Sequence, residues 1–319
     1  MKRRLPIFRK RGSALLLTLL VVATLTGLSL VFSEDSSLEL NLAGYSRDGY
    51  QAYQAARSGA HVALALLNAD ENKDVDSLGE DWGQFGSDGL PMKFPEDVSA
   101  SGIIVDENGK LNLNTLFDEA GVIDEKKEKE IVRLFSTLGL PENAVAPLLD
   151  WMDKDNIERM EGAESSYYQN LDIPYACPNA SFFTPGQIFL VKGMKEIERF
   201  GEDKGRKLLD FLTVHSDGKI NINTASREVL QCLSEKIDSG LAEAIVEYRK
   251  EQEFSVAGDL MKVAGIDEEL LNEIKDRMTV KSSAFSIEIK GRSQDALSMI
   301  KAIVLRNEDG FHLVYWQVM

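Results

Sequence analysis

Hydrophobic and polar positions divide the chain into stretches of different period. Residues 13–33 form an unbroken apolar run, SALLLTLLVVATLTGLSLVFS, with no charge and no proline. At about 1.5 Å per residue such a run covers roughly 30 Å, the thickness of a hydrocarbon core, and predicts one membrane-spanning helix. From 36 to 68, Leu38, Leu42, Tyr45, Tyr53, Ala56, Ala60, Ala63, Leu64 and Leu67 recur near three and four apart. The helix is therefore expected to continue as an amphipathic half, softened at Gly44 and Gly49, with its apolar face on a sheet. Residues 69–97 are polar and rich in Gly, Asp and Pro, which predicts a loop, and 101–105 read as a strand.

Helical periodicity then takes over, at 124–139, 142–152, 185–192, 195–212, 226–236, 239–252, 257–263 and 267–276. The tail returns to period two. Residues 284–290, 299–305 and 311–318 predict strands, and Glu308-Asp309-Gly310 between the last two predicts a hairpin. Strand signals thus flank a helical block. The expected fold is α+β: a long N-terminal helix, and an αβ domain that resembles the pilin-like fold, with a large all-helical insertion that resembles helix-hairpin-helix (SAM-like) domains. The expected division is 1–12 as a leader, 13–68 as the long helix, 69–114 with 280–319 as the pilin-like strands, and 115–279 as the insertion.

An internal repeat divides the insertion. Gly109-Lys110-Leu111-Asn112-Leu113-Asn114-Thr115 recurs as Gly218-Lys219-Ile220-Asn221-Ile222-Asn223-Thr224, differing only by Leu to Ile. Each copy opens a helical stretch, where Asn and Thr side chains can accept from the free N–H groups of a helix start. The repeat marks two related subdomains, approximately 115–217 and 218–279.

Charge sharpens the first element. Six basic residues (Lys2, Arg3, Arg4, Arg9, Lys10 and Arg11) precede the apolar run, and Glu34 and Asp35 follow it. The positive-inside rule leaves the N-terminus in the cytoplasm and the rest across the membrane. Without the leader, 30 basic residues face 52 acidic ones, a net charge of −22. So acidic a body repels phosphate backbones and suits cations or a basic protein surface. Cys177 and Cys232 could pair in an oxidising compartment or remain two buried thiols.

The densest candidate chemistry is Asp150-Trp151-Met152-Asp153-Lys154-Asp155-Asn156-Ile157-Glu158, followed by Glu161-Gly162-Ala163-Glu164. Carboxylates alternating just past a helix can converge on one hard cation, although a solvated acidic loop looks the same. The spacing is not that of an EF-hand. His61, His215 and His312 lack metal-ligand spacing, and no G-x-S-x-G, P-loop or H-E-x-x-H occurs, so no catalytic set is expected.

The junction Arg11-Gly12-Ser13 resembles a prepilin-type leader, cut after Gly12, with the amine of Ser13 then methylated. Most pilins carry a glutamate at the fifth mature position, where this chain has Leu17. A buried carboxylate needs a partner, so Leu17 suits a subunit at a filament end. Leu149-Asp150-Trp151-Met152-Asp153-Lys154-Asp155, Gly162-Ala163-Glu164-Ser165-Ser166-Tyr167-Tyr168, Leu190-Val191-Lys192-Gly193-Met194 and Ile220-Asn221-Ile222-Asn223-Thr224-Ala225 complete the set.

Together these resemble the protein K family of type II secretion minor pseudopilins. The resemblance implies a tip subunit that assembles with minor pseudopilins I and J, other pseudopilins and the inner-membrane assembly platform. It also implies calcium in the acidic loop, carried onto Asp153, Asp155 and Glu164, with Asp150 and Glu161 alongside. Residues 220–276 also resemble the helix-hairpin-helix domain of membrane-anchored competence DNA receptors. A type IV pilus minor pilin shares the leader as well. No nucleic-acid partner is expected: the turn Gly265-Ile266-Asp267 places an aspartate where a phosphate-binding turn wants glycine, Asp238-Ser239-Gly240 lacks the Gly-x-Gly pattern, and the body carries a net −22.

Overall fold

A computed structural model describes residues 13–86, 94, 97–201 and 205–319. Its first element, α1 (Ser13–Ala69), is one continuous 57-residue helix. The four strands β1 (Val98–Asp106), β8 (Ala284–Ser293), β9 (Ala296–Asn307) and β10 (Gly310–Val318) form an antiparallel sheet in that order. Gly310, at φ +124°, closes the β9–β10 hairpin at the turn signalled by Glu308-Asp309-Gly310.

The C-terminal half of α1 lies across this sheet. Ala52, Ala55, Ala56, Gly59, Ala60 and Ala63 form its buried face, and small side chains let the helix backbone approach the strands. Phe285, Ile287, Ile289, Ile300, Ala302 and Val304 supply the opposing core. The helix and strand are in close contact at Gly291, where a Cβ would overlap the Ala52 carbonyl and the Ala56 amide. The described part of the segment after α1 runs as turns and loop, as its composition predicts, but not all of it is exposed. Trp82 and Phe85 are buried in the same core, with Trp82 edge-on to Phe285 at 4.8 Å.

Between β1 and β8 the chain builds a second core, from Leu111 to Met278. Both repeat copies begin with a two-residue strand, β2 (Leu111–Asn112) and β6 (Ile220–Asn221). Each is closed by a returning parallel strand, β5 (Leu212–Thr213) on β2 and β7 (Met278–Thr279) on β6. Helices α2 (Glu125–Thr137), α3 (Val145–Met152) and the short α4 (Ser165–Gln169) belong to the first copy. Helices α5 (Arg227–Cys232), α6 (Ser239–Glu251) and α7 (Glu268–Ile274) belong to the second.

The repeat runs further than the matching heptapeptides. Asn114 clamps the backbone of Phe182 in both directions, accepting from its N–H at 2.8 Å and donating to its carbonyl at 2.8 Å. Asn223 clamps Phe254 in the same way, at 2.9 Å each. Trp151 of α3 stacks on Phe182, and Tyr248 of α6 stacks on Phe254. Gln187 then accepts from the backbone of Phe183 and Thr184, as Asp259 does from Ser255 and Val256. These side chains open matching 3-10 helices, Pro185–Leu190 and Ala257–Lys262.

The copies differ in what they carry between these landmarks. From Trp151 to Phe182 the first copy takes 31 positions, and from Tyr248 to Phe254 the second takes six. The surplus holds the acidic loop and α4. Among the described residues the first copy has no counterpart of α7, and this corrects the helix expected over 195–212. The described part of that stretch forms turns, the pair β3 (Arg199–Phe200) and β4 (Arg206–Lys207), a 3-10 turn at Leu208–Asp210, and β5. Gly201, at φ +89°, turns the chain back instead of continuing a helix. Cys177 and Cys232 are two separate buried thiols.

A buried polar hub joins the two cores. Asp106, ending β1, accepts at Oδ2 from Ser282 Oγ (2.6 Å), Thr224 Oγ1 (2.5 Å) and Asn221 Nδ2 (3.0 Å), and at Oδ1 from the Asn108 N–H (2.8 Å). Beside it, Arg306 grips Asp76 with two bonds of 2.6 Å.

Burial outweighs these hydrogen bonds and pushes the Asp106 carboxyl up to about 6. A raised carboxyl favours the folded state only while protonated. Its contribution is complete below about pH 4 and disappears as pH climbs through 6. Urea unfolding of the full-length protein in detergent is therefore expected to show the advantage of wild type over Asp106→Asn shrinking by about 2–3 kcal/mol from pH 4 to pH 7. An advantage independent of pH would contradict the assignment.

Candidate functional site

The acidic site is built at the end of α3. Successive turns of that helix bury Leu148, Leu149, Trp151 and Met152 in the second core, and the same winding carries Asp150 inward. Asp153 is the C-cap residue, with its N–H on the Leu149 carbonyl. The chain then runs through an irregular loop to Glu164, which precedes α4. Trp151 meets Tyr168 edge-on at 5.1 Å, tying α4 back onto α3. Asp150, Asp153 and Glu164 are all buried, and each brings a carboxylate oxygen within 4.8 Å of the others.

Their hydrogen bonding is incomplete. Asp150 Oδ2 accepts from the Ala163 N–H at 2.9 Å and the Arg159 N–H at 3.2 Å. Gly162 permits this approach, because a Cβ there would overlap Asp150 Oδ2. By contrast, Asp153 Oδ1 and both oxygens of Glu164 are buried without a hydrogen-bond partner. Burial, and after it the charges of Asp153 and Asp150, push the Glu164 carboxyl up to about 7. Burial likewise raises Asp153, against the lowering effect of Arg159.

Three buried carboxylates, two of them with orphaned oxygens, are a costly arrangement that a bound cation would relieve. An all-oxygen set fits a hard divalent ion and is unsuited to softer metals. An open cleft of about 330 Å³, lined in part by Asp153, Asp155 and Arg159, leads to the group from solvent.

Of the five acids expected here, the fold brings together Asp150, Asp153 and Glu164 and leaves Asp155 and Glu161 outside. The Asp155 carboxylate turns onto the Ile157 N–H at 2.7 Å. Glu161 is exposed, at φ +66°, and offers the site's surroundings its carbonyl, which accepts from Lys192 Nζ. Arg159, which the sequence pattern did not single out, reaches into the cluster. The leader residue Gly12 lies outside the described residues, and Ser13 is the first residue of α1.

The helix-hairpin-helix copy has its anion positions already filled. Asp238 caps α6 by accepting from the Leu241 N–H, and Asp267 caps α7 by accepting from the Leu270 N–H. A phosphate would have to displace these carboxylates from the helix N-termini it needs.

Comparisons with known proteins bear on both halves. The family description "Type II secretion system (T2SS), protein K" matches residues 109–200. Type II secretion system protein K of Pseudomonas aeruginosa is 33% identical over 267 residues, covering 79% of this chain and 76% of the relative. The chain belongs to the type II secretion system protein K family. It is accordingly a minor pseudopilin of that system, with an N-terminal apolar helix suited to anchoring it in a membrane.

A solved structure of the GspK–GspI–GspJ complex from enterotoxigenic Escherichia coli contains a chain of the same fold. The TM-score is 0.66 at 18% identity, covering 85% of this chain and 96% of that one. The "Helix-hairpin-helix motif" matches residues 215–279. ComE operon protein 1 of Bacillus subtilis is 43% identical over 74 residues, but these are 22% of this chain and 36% of that relative. The protein K likeness extends over most of the chain, whereas the likeness to ComE operon protein 1 covers less than a quarter of it.

Proposed function

We propose that this protein K family member caps the pseudopilus, primes its assembly with minor pseudopilins I and J, and so supports export across the outer membrane. The observation that carries the reading is the unsupported half of α1. Its first buried side chain is Ala52. Between the apolar run and that point, Leu38, Leu42 and Tyr45 remain 58, 55 and 71% exposed. An apolar stripe on a helix outside the bilayer needs other helices to cover it. The complex in which the Escherichia coli fold relative was solved supplies partners of that kind. The basic leader favours a cytoplasmic N-terminus and a periplasmic body. Cleavage after Gly12 by prepilin peptidase and methylation of Ser13 belong to the same reading. So does a structural role without catalysis.

The second core stands beside the sheet as a bulky block. A shaft subunit needs a slim profile to stack helically, and a cap has no such limit. Leu17 agrees with an end position. A Leu17→Glu change would put an unpartnered carboxylate in the membrane at a cost of up to roughly 3 kcal/mol, the figure for a helix centre. Secretion by a complemented deletion strain is expected to fall severalfold with the subunit depleted from membranes. Wild-type secretion and membrane level would contradict the end position.

Asp150, Asp153 and Glu164 are the residues that would hold calcium. A bound divalent ion would neutralise their mutual repulsion and fix the loop 153–164 between α3 and α4. The buried, unpartnered oxygens of Asp153 and Glu164 support this assignment.

A further inference from the structure

The carboxylates assigned to the ion already carry a cation from their own loop. Arg159 Nη1 donates to Asp150 Oδ1 at 2.6 Å and also to Asp153 Oδ2. It therefore bridges two of the three acids. It leaves Asp153 Oδ1 and both Glu164 oxygens without partners. One positive charge thus faces three carboxylates, and the third carboxylate is not engaged.

A guanidinium satisfies this pair only in part. Calcium draws six to eight oxygens to about 2.3–2.6 Å. An N–H group donating into the same lone pairs occupies the space and the electron density an ion needs. Two cations held against the same oxygens would also repel each other in a poorly solvated site. Arg159 has somewhere to go. Its side chain is 35% exposed, it lies in an irregular loop, and it lines the cleft bounded by Phe117, Gly121, Ile123 and Lys154.

We propose that Arg159 is an internal competitor for the divalent ion. Its guanidinium holds Asp150 and Asp153 together in the ion-free protein, and ion binding expels it into the cleft. The inference rests on the calcium reading above and adds a device to it. The arginine keeps the ion-free site ordered and lowers its apparent affinity, because only the arginine-out state binds. Calcium entry would then also change the charge presented at the surface, by placing a guanidinium in the cleft beside Asp155.

Calcium titration of the full-length protein in detergent, followed by calorimetry and by the fluorescence of the adjacent Trp151, tests this. Arg159→Gln keeps a hydrogen-bonding side chain but removes the charge. It is expected to bind calcium about tenfold more tightly than wild type. Its ion-free form is expected to melt at lower temperature, with the difference abolished by calcium. Arg159→Lys retains a cation and is expected to stay close to the wild-type affinity. If wild type binds calcium and Arg159→Gln binds equally or more weakly, the competition is refuted while the calcium reading stands. If neither protein binds, both fall together.

Discussion

Replacing Gly291 by valine is expected to unseat α1 from the sheet and to destabilise the full-length protein by about 3 kcal/mol. The magnitude follows from what the new side chain would strike. A Cβ at position 291 overlaps the Ala52 carbonyl and the Ala56 amide, which are helix backbone and cannot rotate away. The strand cannot retreat either, since β8 is paired on one side with β1 and on the other with β9. Relief requires moving the whole helix, which would open the core that includes Ala60, Ala63, Ile287 and Ile289. Urea unfolding in detergent would report the loss, and secretion in a complemented strain should fall with it. Wild-type stability would show that α1 does not sit on the sheet at this distance.

Chelation should have an effect of similar size. An ion present at a thousandfold excess over its dissociation constant contributes about 4 kcal/mol. For a folded unit of this size, removing it corresponds to a fall of roughly 10 °C in the melting midpoint. The loss should fall on the first repeat copy, because the ion would join α3, through Asp150 and Asp153, to Glu164 at the start of α4. Glu164→Gln is expected to melt near the chelated wild-type midpoint and to be indifferent to the chelator. Scanning calorimetry with and without excess EGTA measures both. Equal wild-type midpoints would remove calcium from the account.

The long helix and the sheet were legible because their signals are local. An apolar run of that length without charge or proline marks a helix, and the alternation in the tail together with Gly310 marks strands and hairpin. The first piece of the repeat was legible by identity. The remainder was not, because the equivalence of Asn114 with Asn223 shows in the backbone each one clamps. The loop and α4 in the first copy also shift the register between matching landmarks. The stretch 195–212 has helical apolar spacing, yet it must deliver β5 alongside β2. Gly201 and the β3–β4 pair accomplish that instead.

The site was half legible for a related reason. Alternating acids flag the loop, but spacing cannot say which of them turn inward. Helical phase buries Asp150, and the cap position buries Asp153. Asp155 is diverted by the N–H two residues ahead of it. Arg159 carried no signal of its own, since one arginine in an acidic loop looks like a surface residue. The hub of Asp76, Asp106 and Arg306 escaped for want of proximity, as its members lie far apart in the chain.

The central claim is that this subunit assembles through the exposed half of α1 with minor pseudopilins I and J. Co-expression of the full-length chain with both partners, followed by affinity purification in detergent, tests it most directly. The account predicts that all three proteins are recovered together, and that charged substitutions at Leu38, Leu42 and Tyr45 release the partners while leaving the folded body intact. Recovery of the full-length chain without either partner would contradict it.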